Sequence, residues 1–361
     1  MSKLMSATRT LSVMIAAMLV LAVPAMAAVP DPPPRPDGKP ADMSKPVQVF
    51  ILMGQSNMLE FGNVVGDKDG TLEHAVKSEG LYPYLLDDDG NWTVRKDVRN
   101  VAVMGSGGPG KTQVRKNDWL QVAGGRIGVE IGIGSYLGEF HDEPVLILKS
   151  AIGNRSLGWD LLPTGSASYE FTDPRDGKTY VYAGYGQSPE RWEKGTDPKP
   201  IGWTAGIQYA GDVARAKEVL DNLGEYYPGA TEYEVAGFLW WQGDKDRYNA
   251  GHSQKYERNL ANLIRALRKD FNAPNAKFVV ATLGQTDKDN PRGTEKDVIE
   301  AKFAVSDPGK YPEFKGNVAT VYTHPLSMGS SSNAHYGGNA KTYMNVGEGM
   351  GKAMVELLKN R

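Results

Sequence analysis

The sequence predicts an α/β protein: a three-layer arrangement in which a parallel sheet of about five strands is covered by helices on both faces. Two observations carry this. Apolar runs rich in Val, Ile and Leu recur at 47–53, 144–149, 233–241, 277–283 and 317–322, and polar or Gly-containing turns follow them. Unbroken runs of this kind suit strands buried on both faces. Between them lie stretches with apolar residues near helical spacing, at 124–140, 204–227, 253–271, about 295–305 and about 340–358. Such alternation gives parallel strands joined by helical crossovers. No internal repeat and no second domain boundary interrupts it.

The N-terminus reads as a targeting segment. Lys3 and Arg9 and an apolar stretch at 11–23 precede Ala25-Met26-Ala27, a small-x-small cleavage site. Residues 1–27 are therefore expected to be a signal peptide cut after Ala27, placing the mature protein in the periplasm or outside the cell. The stretch is too short for a membrane span, and no other segment approaches one. With no cysteine anywhere, disulfides and a lipid-anchored cysteine are excluded. Residues 28–45, dense in proline and charge, predict an extended linker, leaving 46–361 as one folded domain. A formal net charge of −2, with both signs interspersed, gives no electrostatic footprint for nucleic acid.

The first strand ends abruptly at Gly54-Gln55-Ser56-Asn57. Ser56 thus stands at the carboxyl end of a strand, where open α/β sheets place ligands. A serine on a tight strand-to-loop turn is also where nucleophilic hydrolases put their hydroxyl. Met58 occupies the second Gly position of G-x-S-x-G, so this is not that nucleophile elbow. Gly, Ser and Asn favour turns on their own account, and the rest of the chain must decide between the two readings.

The polar stretch that follows contains Asp67-Lys68-Asp69-Gly70, whose Gly comes too early for an EF-hand calcium loop. Residues 81–94 predict a short hairpin turning at Asp89-Gly90. Residues 157–203 are rich in aromatics, Gly and Pro and poorly periodic. A loop of this length inside a domain is usually functional; its aromatic rings suit a binding lid for sugars and core filling equally. Of the five histidines, His335 lies in a Gly/Ser/Asn-rich loop before the last helix, a suitable place for a base, and His324 is its rival.

Gly54-Gln55-Ser56-Asn57-Met58, the block 149–157 (KSAIGNRSL), Trp240-Trp241-Gln242-Gly243-Asp244 and a histidine before the final helix together resemble the SGNH-hydrolase superfamily. Within it the chain is similar to the sialate O-acetylesterase-like proteins and to carbohydrate esterase family 6, which includes acetylxylan esterases. The resemblance covers about 46–358 and implies a flavodoxin-like fold and a serine esterase acting on an acetylated carbohydrate. It implies Ser56 as nucleophile, His335 as general base, and an oxyanion hole made by Ser56 N–H, Gly153 N–H and the Gln242 side-chain amide. Gln55, Asn57, Arg155 and Trp241 are candidates for substrate contact, although Asn57 serves equally well as a cap of the turn and an ordinary surface ion pair is the better reading of Arg155. No metal and no cofactor is implied. Two departures stand out. Ser332 occupies the position, three residues before the histidine, where many SGNH enzymes carry the triad acid. The acid of the family's Q-G-E block is here Asp244, assigned to orient His335, with Asp246 as understudy. A non-catalytic carbohydrate-binding protein on the same fold is the alternative that Ser332 favours.

Overall fold

The computed structural model describes residues 30–360, so the expected signal peptide lies outside the described residues. Apart from a two-residue pairing of Gly62–Asn63 with Arg126–Ile127, the strands are β1 (Val47–Gly54), β2 (Val94–Met104), β3 (Gln113–Gln121), β4 (Val145–Ser150), β5 (Tyr169–Thr172), β6 (Thr179–Tyr182), β7 (Arg191–Glu193), β8 (Tyr233–Trp241), β9 (Lys277–Ala281) and β10 (Val318–Val321). The central sheet has seven strands in the order β10-β9-β8-β1-β4-β2-β3. All neighbours run parallel except β2 and β3, which are antiparallel.

The expectation of about five parallel strands therefore needs correcting. The five apolar runs form β1, β4, β8, β9 and β10, but β2 and β3 extend the sheet. Only the second half of β2 (VRKDVRNVAVM) is apolar, and β3 (QVRKNDWLQ) is polar almost throughout. β3 is an edge strand, and charge on an edge discourages pairing with other chains. Burial of Arg99 in β2 is made tolerable by its Nε, which donates to the Tyr226 carbonyl at 2.8 Å.

Helices cover both faces. Phe50 and Leu52 of β1 face α1 (Glu130–Phe140) and α5 (Ala340–Lys359). Val49, Ile51 and Met53 face the other way, towards α2 (Ile207–Asp221), α3 (Tyr256–Asp270) and α4 (Gly293–Ala304). Alternate residues of one strand thus enter separate cores, as a strand covered on both sides requires. Gly132 in α1 serves helix–helix contact, since a Cβ there would collide with the backbone of Gly347 and Glu348 in α5, whereas Gly134 and Gly138 lie against Leu120 of β3 and Arg95 of β2.

The proline-rich segment is not a free tether over its described part. The Asp31 carboxylate accepts from the Tyr136 hydroxyl at 2.8 Å and pairs with Lys352 at 2.9 Å, holding residues 30–46 against α1 and α5. The expected hairpin is reduced to a bridge between Leu86 and Trp92 around a turn that the Asp87 carboxylate closes by accepting from the N–H groups of Asp89 and Asn91.

The long segment 157–203 is more ordered than its composition suggests. β5, β6 and β7 form a separate antiparallel sheet. Trp159, Leu162, Ala183 and Ala205, with Trp192 and Trp203 against them, make a small core of their own. Much of the aromatic content therefore fills space. Tyr182 and Tyr169 donate to Asn249 Oδ1 and the Gly251 carbonyl, docking this sheet beside the loop that follows β8.

At the end of β1, Gly54 has φ +149°, and a Cβ there would run into the Trp241 carbonyl of β8. Gly54→Ala is expected to cost about 3 kcal/mol, the upper end for overpacking. Urea denaturation checks it; an unchanged midpoint would show that the turn relaxes freely.

Candidate active site

The serine turn follows directly from that close approach. Ser56 opens a single 3-10 turn, Ser56–Met58, closed by Met58 N–H to the Gln55 carbonyl at 2.9 Å and anchored by buried Asn57 and Met58. Ser56 itself is half-buried. The loop after β4 lies over it: a Cβ on Gly153 would sit 3.4 Å from the Ser56 Cβ. The backbone N–H groups of Ser56 and Gly153 bond to no other backbone carbonyl among the described residues.

His335 arrives on a separate turn. It belongs to the turn Ser332–Gly338, which packs against the Ser56–Met58 turn. His335, Tyr336, Gly337 and Gly338 all have left-handed backbone, with φ of 51°, 55°, 64° and 74°. Left-handed φ costs a non-glycine residue roughly 1–2 kcal/mol and persists where the surroundings over-determine it. Tyr336 provides that anchor. It is fully buried, stacks on Trp241 at 5.6 Å, and its hydroxyl accepts the Gly284 N–H at 3.1 Å. The imidazole stacks face to face on Phe61, centroids 3.8 Å apart and planes 7° from parallel. Burial lowers its pKa below the usual value; the Asp244 charge opposes this and the Arg126 charge adds to it. Rival His324 is engaged elsewhere, its Nδ1 lying 2.7 Å from the Gly284 carbonyl.

Ser332, which replaces the usual acid, donates its hydroxyl to Asp244 Oδ1 at 2.6 Å. Arg247 Nε donates to the same oxygen at 2.8 Å. Asp244 is thereby held at the base of the histidine turn. It acts on His335 through its charge; no hydrogen bond or ion pair joins the two side chains among the described residues. Asp246 points elsewhere. Fully buried, it accepts from the N–H groups of Leu157 and Gly158, each at 2.8 Å, and from Gln242 Nε2 at 2.5 Å. Burial pushes its carboxyl up to about 6 against those hydrogen bonds.

Three expected contacts need correcting. Gln242 is fully buried, and its Nε2 faces Asp246, the Arg155 carbonyl at 2.9 Å and Gln55 Oε1 at 3.1 Å. Two N–H bonds facing three acceptors leave none for an oxyanion, so this amide braces the loop carrying Gly153. Gln55 is likewise turned inward, 2% exposed, its Oε1 also accepting the Lys245 N–H. Trp241 is fully buried, its Nε1 donating to the Thr282 carbonyl at 2.8 Å. Trp240 is just as buried on the other face, because β8 lies inside a sheet with helices on both sides.

Asn57 is buried next to Ser56 in the chain, with neither amide atom paired among the described residues. Arg155 is half-exposed, two residues beyond Gly153. Sequence reading missed Phe61, which fixes the imidazole plane, and Tyr336, which fixes the histidine turn. A tyrosine followed by Gly-Gly directly after the histidine is the signal for the second; nothing in the sequence marks the first.

Residues 181–356, just under half of the chain, match the carbohydrate esterase, sialic acid-specific acetylesterase family. That segment is thus similar to the family whose motifs the sequence resembles. The matched span holds Gln242, Asp244, Asp246 and His335, while Ser56 and Gly153 precede it. Solved structures similar to the chain include a protein from Arabidopsis thaliana, 17% identical, covering 86% of this chain and 98% of that one with a TM-score of 0.45. A novel carbohydrate acetylesterase from Xanthomonas citri is 15% identical, with 84% and 55% covered and a TM-score of 0.49. NanS is 15% identical, with 79% of each chain covered and a TM-score of 0.39. No curated protein matches the sequence. Among the described residues, no helix is long and apolar enough to cross a membrane.

Proposed function

We propose that the protein is a secreted serine esterase that removes O-acetyl groups from a carbohydrate, of the acetylated-xylan or sialic-acid type, through an acetyl-serine intermediate. The observation that carries this is the meeting of three elements: Ser56 at the end of β1, Gly153 directly over it, and the His335 turn packed against it. A binding protein needs no histidine held in left-handed backbone on a turn packed against that of a serine.

In this mechanism Ser56 Oγ attacks the acetyl carbonyl as His335 takes its proton, then delivers that proton to the departing sugar oxygen. The oxyanion sits on the N–H groups of Ser56 and Gly153. Water, deprotonated by the same imidazole, releases acetate. Asp244, held by Ser332 and Arg247, stabilises the imidazolium by charge without itself taking the proton. Acetate release from 4-nitrophenyl acetate, acetylated xylan and O-acetylated N-acetylneuraminic acid tests the reading. Acetate release from none of them would sink it.

The pH dependence follows from the histidine. The base must be neutral, and its pKa lies below 6.5, so the acid limb of kcat/KM is expected below pH 6.5. Asp244 raises that pKa, so Asp244→Asn should move the limb further down. Its turnover should fall by less than the roughly 10⁴-fold seen when a directly bonded triad acid is neutralised. A limb that moves up in Asp244→Asn would remove Asp244 from this role.

A further inference from the structure

We infer that Asp246 is the positioning residue of the oxyanion hole: its carboxylate locks the loop after β4, and so holds the Gly153 N–H in place for the reacting carbonyl. This rests on the esterase reading of the same site. From Gly153 to Gly158 every residue is tied down by at least one hydrogen bond. The carbonyls of Gly153 and Asn154 accept from Arg155 Nη1 at 3.4 and 3.2 Å. The Arg155 carbonyl accepts from Gln242 Nε2 at 2.9 Å, and the Ser156 N–H donates to Asp160 Oδ2 at 2.8 Å. The N–H groups of Leu157 and Gly158 donate to the two oxygens of Asp246, each at 2.8 Å. Asp246 Oδ2 also accepts from Gln242 Nε2 at 2.5 Å, so the same carboxylate orients the amide that holds the Arg155 carbonyl. Left over is the Gly153 N–H, which has no hydrogen-bond partner among the described residues.

A role beyond packing follows from two features. Asn154, inside the loop, has φ +57°, a left-handed conformation that a non-glycine residue holds only where its surroundings over-determine it. Asp246 is fully buried, yet all three of its donors are neutral and no ion pair reaches it among the described residues. The ammonium of buried Lys302, which feels its charge, is spent on the carbonyls of Gln242 and Ala281. A carboxylate taken out of water without a cation is costly, and for stability alone a neutral side chain would serve as well. What a neutral isostere cannot do is accept from Leu157, Gly158 and Gln242 at once, because an amide turns its own NH2 against one of those donors. Oxyanion donors act best when they need no reorganisation at the moment of reaction, and three bonds to one buried carboxylate supply that rigidity.

The test is a ratio of rates, which does not depend on how much of a variant is active. Wild type, Asp246→Asn and Asp244→Asn are compared on 4-nitrophenyl acetate and on its thionoester, in which sulfur replaces the carbonyl oxygen. Sulfur is larger and a weaker acceptor, so a well-placed oxyanion hole favours the oxygen ester. In Asp246→Asn, kcat on the oxygen ester should fall about 10²-fold, the loss that a misplacement of about 1 Å brings, with KM within about 3-fold of wild type. The preference for oxygen over sulfur should fall about 10-fold with it. Asp244→Asn, which acts on the base, should slow both esters alike and leave the preference unchanged. Amide hydrogen exchange at Leu157 and Gly158 should quicken in Asp246→Asn, a readout that needs no turnover. Asp246→Ser, which sets no fixed donor against the loop, should show the same losses and stands in if the asparagine variant does not fold. An unchanged oxygen-to-sulfur preference in a folded Asp246 variant, even with both rates lowered, would overturn the assignment, as would unchanged exchange. A wild-type chain that releases acetate from no ester would defeat the esterase reading, and the role of Asp246 with it.

Discussion

Ser56→Ala is expected to lower turnover by roughly 10⁶, the loss found when a serine nucleophile acting within a catalytic unit is removed. The structural cost should be small. The 3-10 turn is closed by backbone bonds and by buried Asn57 and Met58, none of which uses the Ser56 hydroxyl. The variant should therefore melt with the parent. Any residual rate over water would come from binding and the N–H groups of Ser56 and Gly153, which the substitution leaves in place. Acetate release from 4-nitrophenyl acetate, followed beside thermal melting, reads both quantities. Wild-type rates in a folded Ser56→Ala protein would end the serine mechanism.

His335→Ala should lose a similar factor, and the double variant with Ser56→Ala should be hardly worse than either alone, because nucleophile and base act as one unit. Here too the fold gives a reason to expect a clean result. Tyr336, not His335, anchors the left-handed turn, through its stack on Trp241 and its bond to Gly284. Removing the imidazole sacrifices the stack on Phe61 but relieves no strain, since alanine at 335 keeps the left-handed φ. A modest loss of stability with a very large loss of rate is the expected pairing. If His335→Ala instead retained most of its activity, the base would have to be sought elsewhere, and His324 is already bonded to the Gly284 carbonyl.

Much of this was legible in the sequence because burial on both faces leaves a plain signature. Each of the five apolar runs appears in the sheet, four as inner strands and β10 at its edge. β2 and β3 were not legible because an edge strand and its neighbour can satisfy their polar groups through partners distant in the chain, such as Arg99 with the Tyr226 carbonyl, and need no apolar run. The small sheet β5–β7 escaped for a related reason: its strands are three or four residues long, too short for periodicity to register.

The sequence by itself determined the strand that presents Ser56, the turn that ends it, and the likeness to carbohydrate esterases. Turn chemistry and apolar runs are local, and locality is what a sequence records. Only the tertiary structure decided how the polar groups are shared. Gln242 offers two N–H bonds, and whether they face an oxyanion or the Asp246 carboxylate depends on a loop 87 residues away in the chain. Asp244 finds Ser332 across 88 residues, so the position where an acid was missed turns out to hold one in place. Hydrogen-bond donors are finite and buried ones must be paired, and that accounting closes only when the distant segments have met.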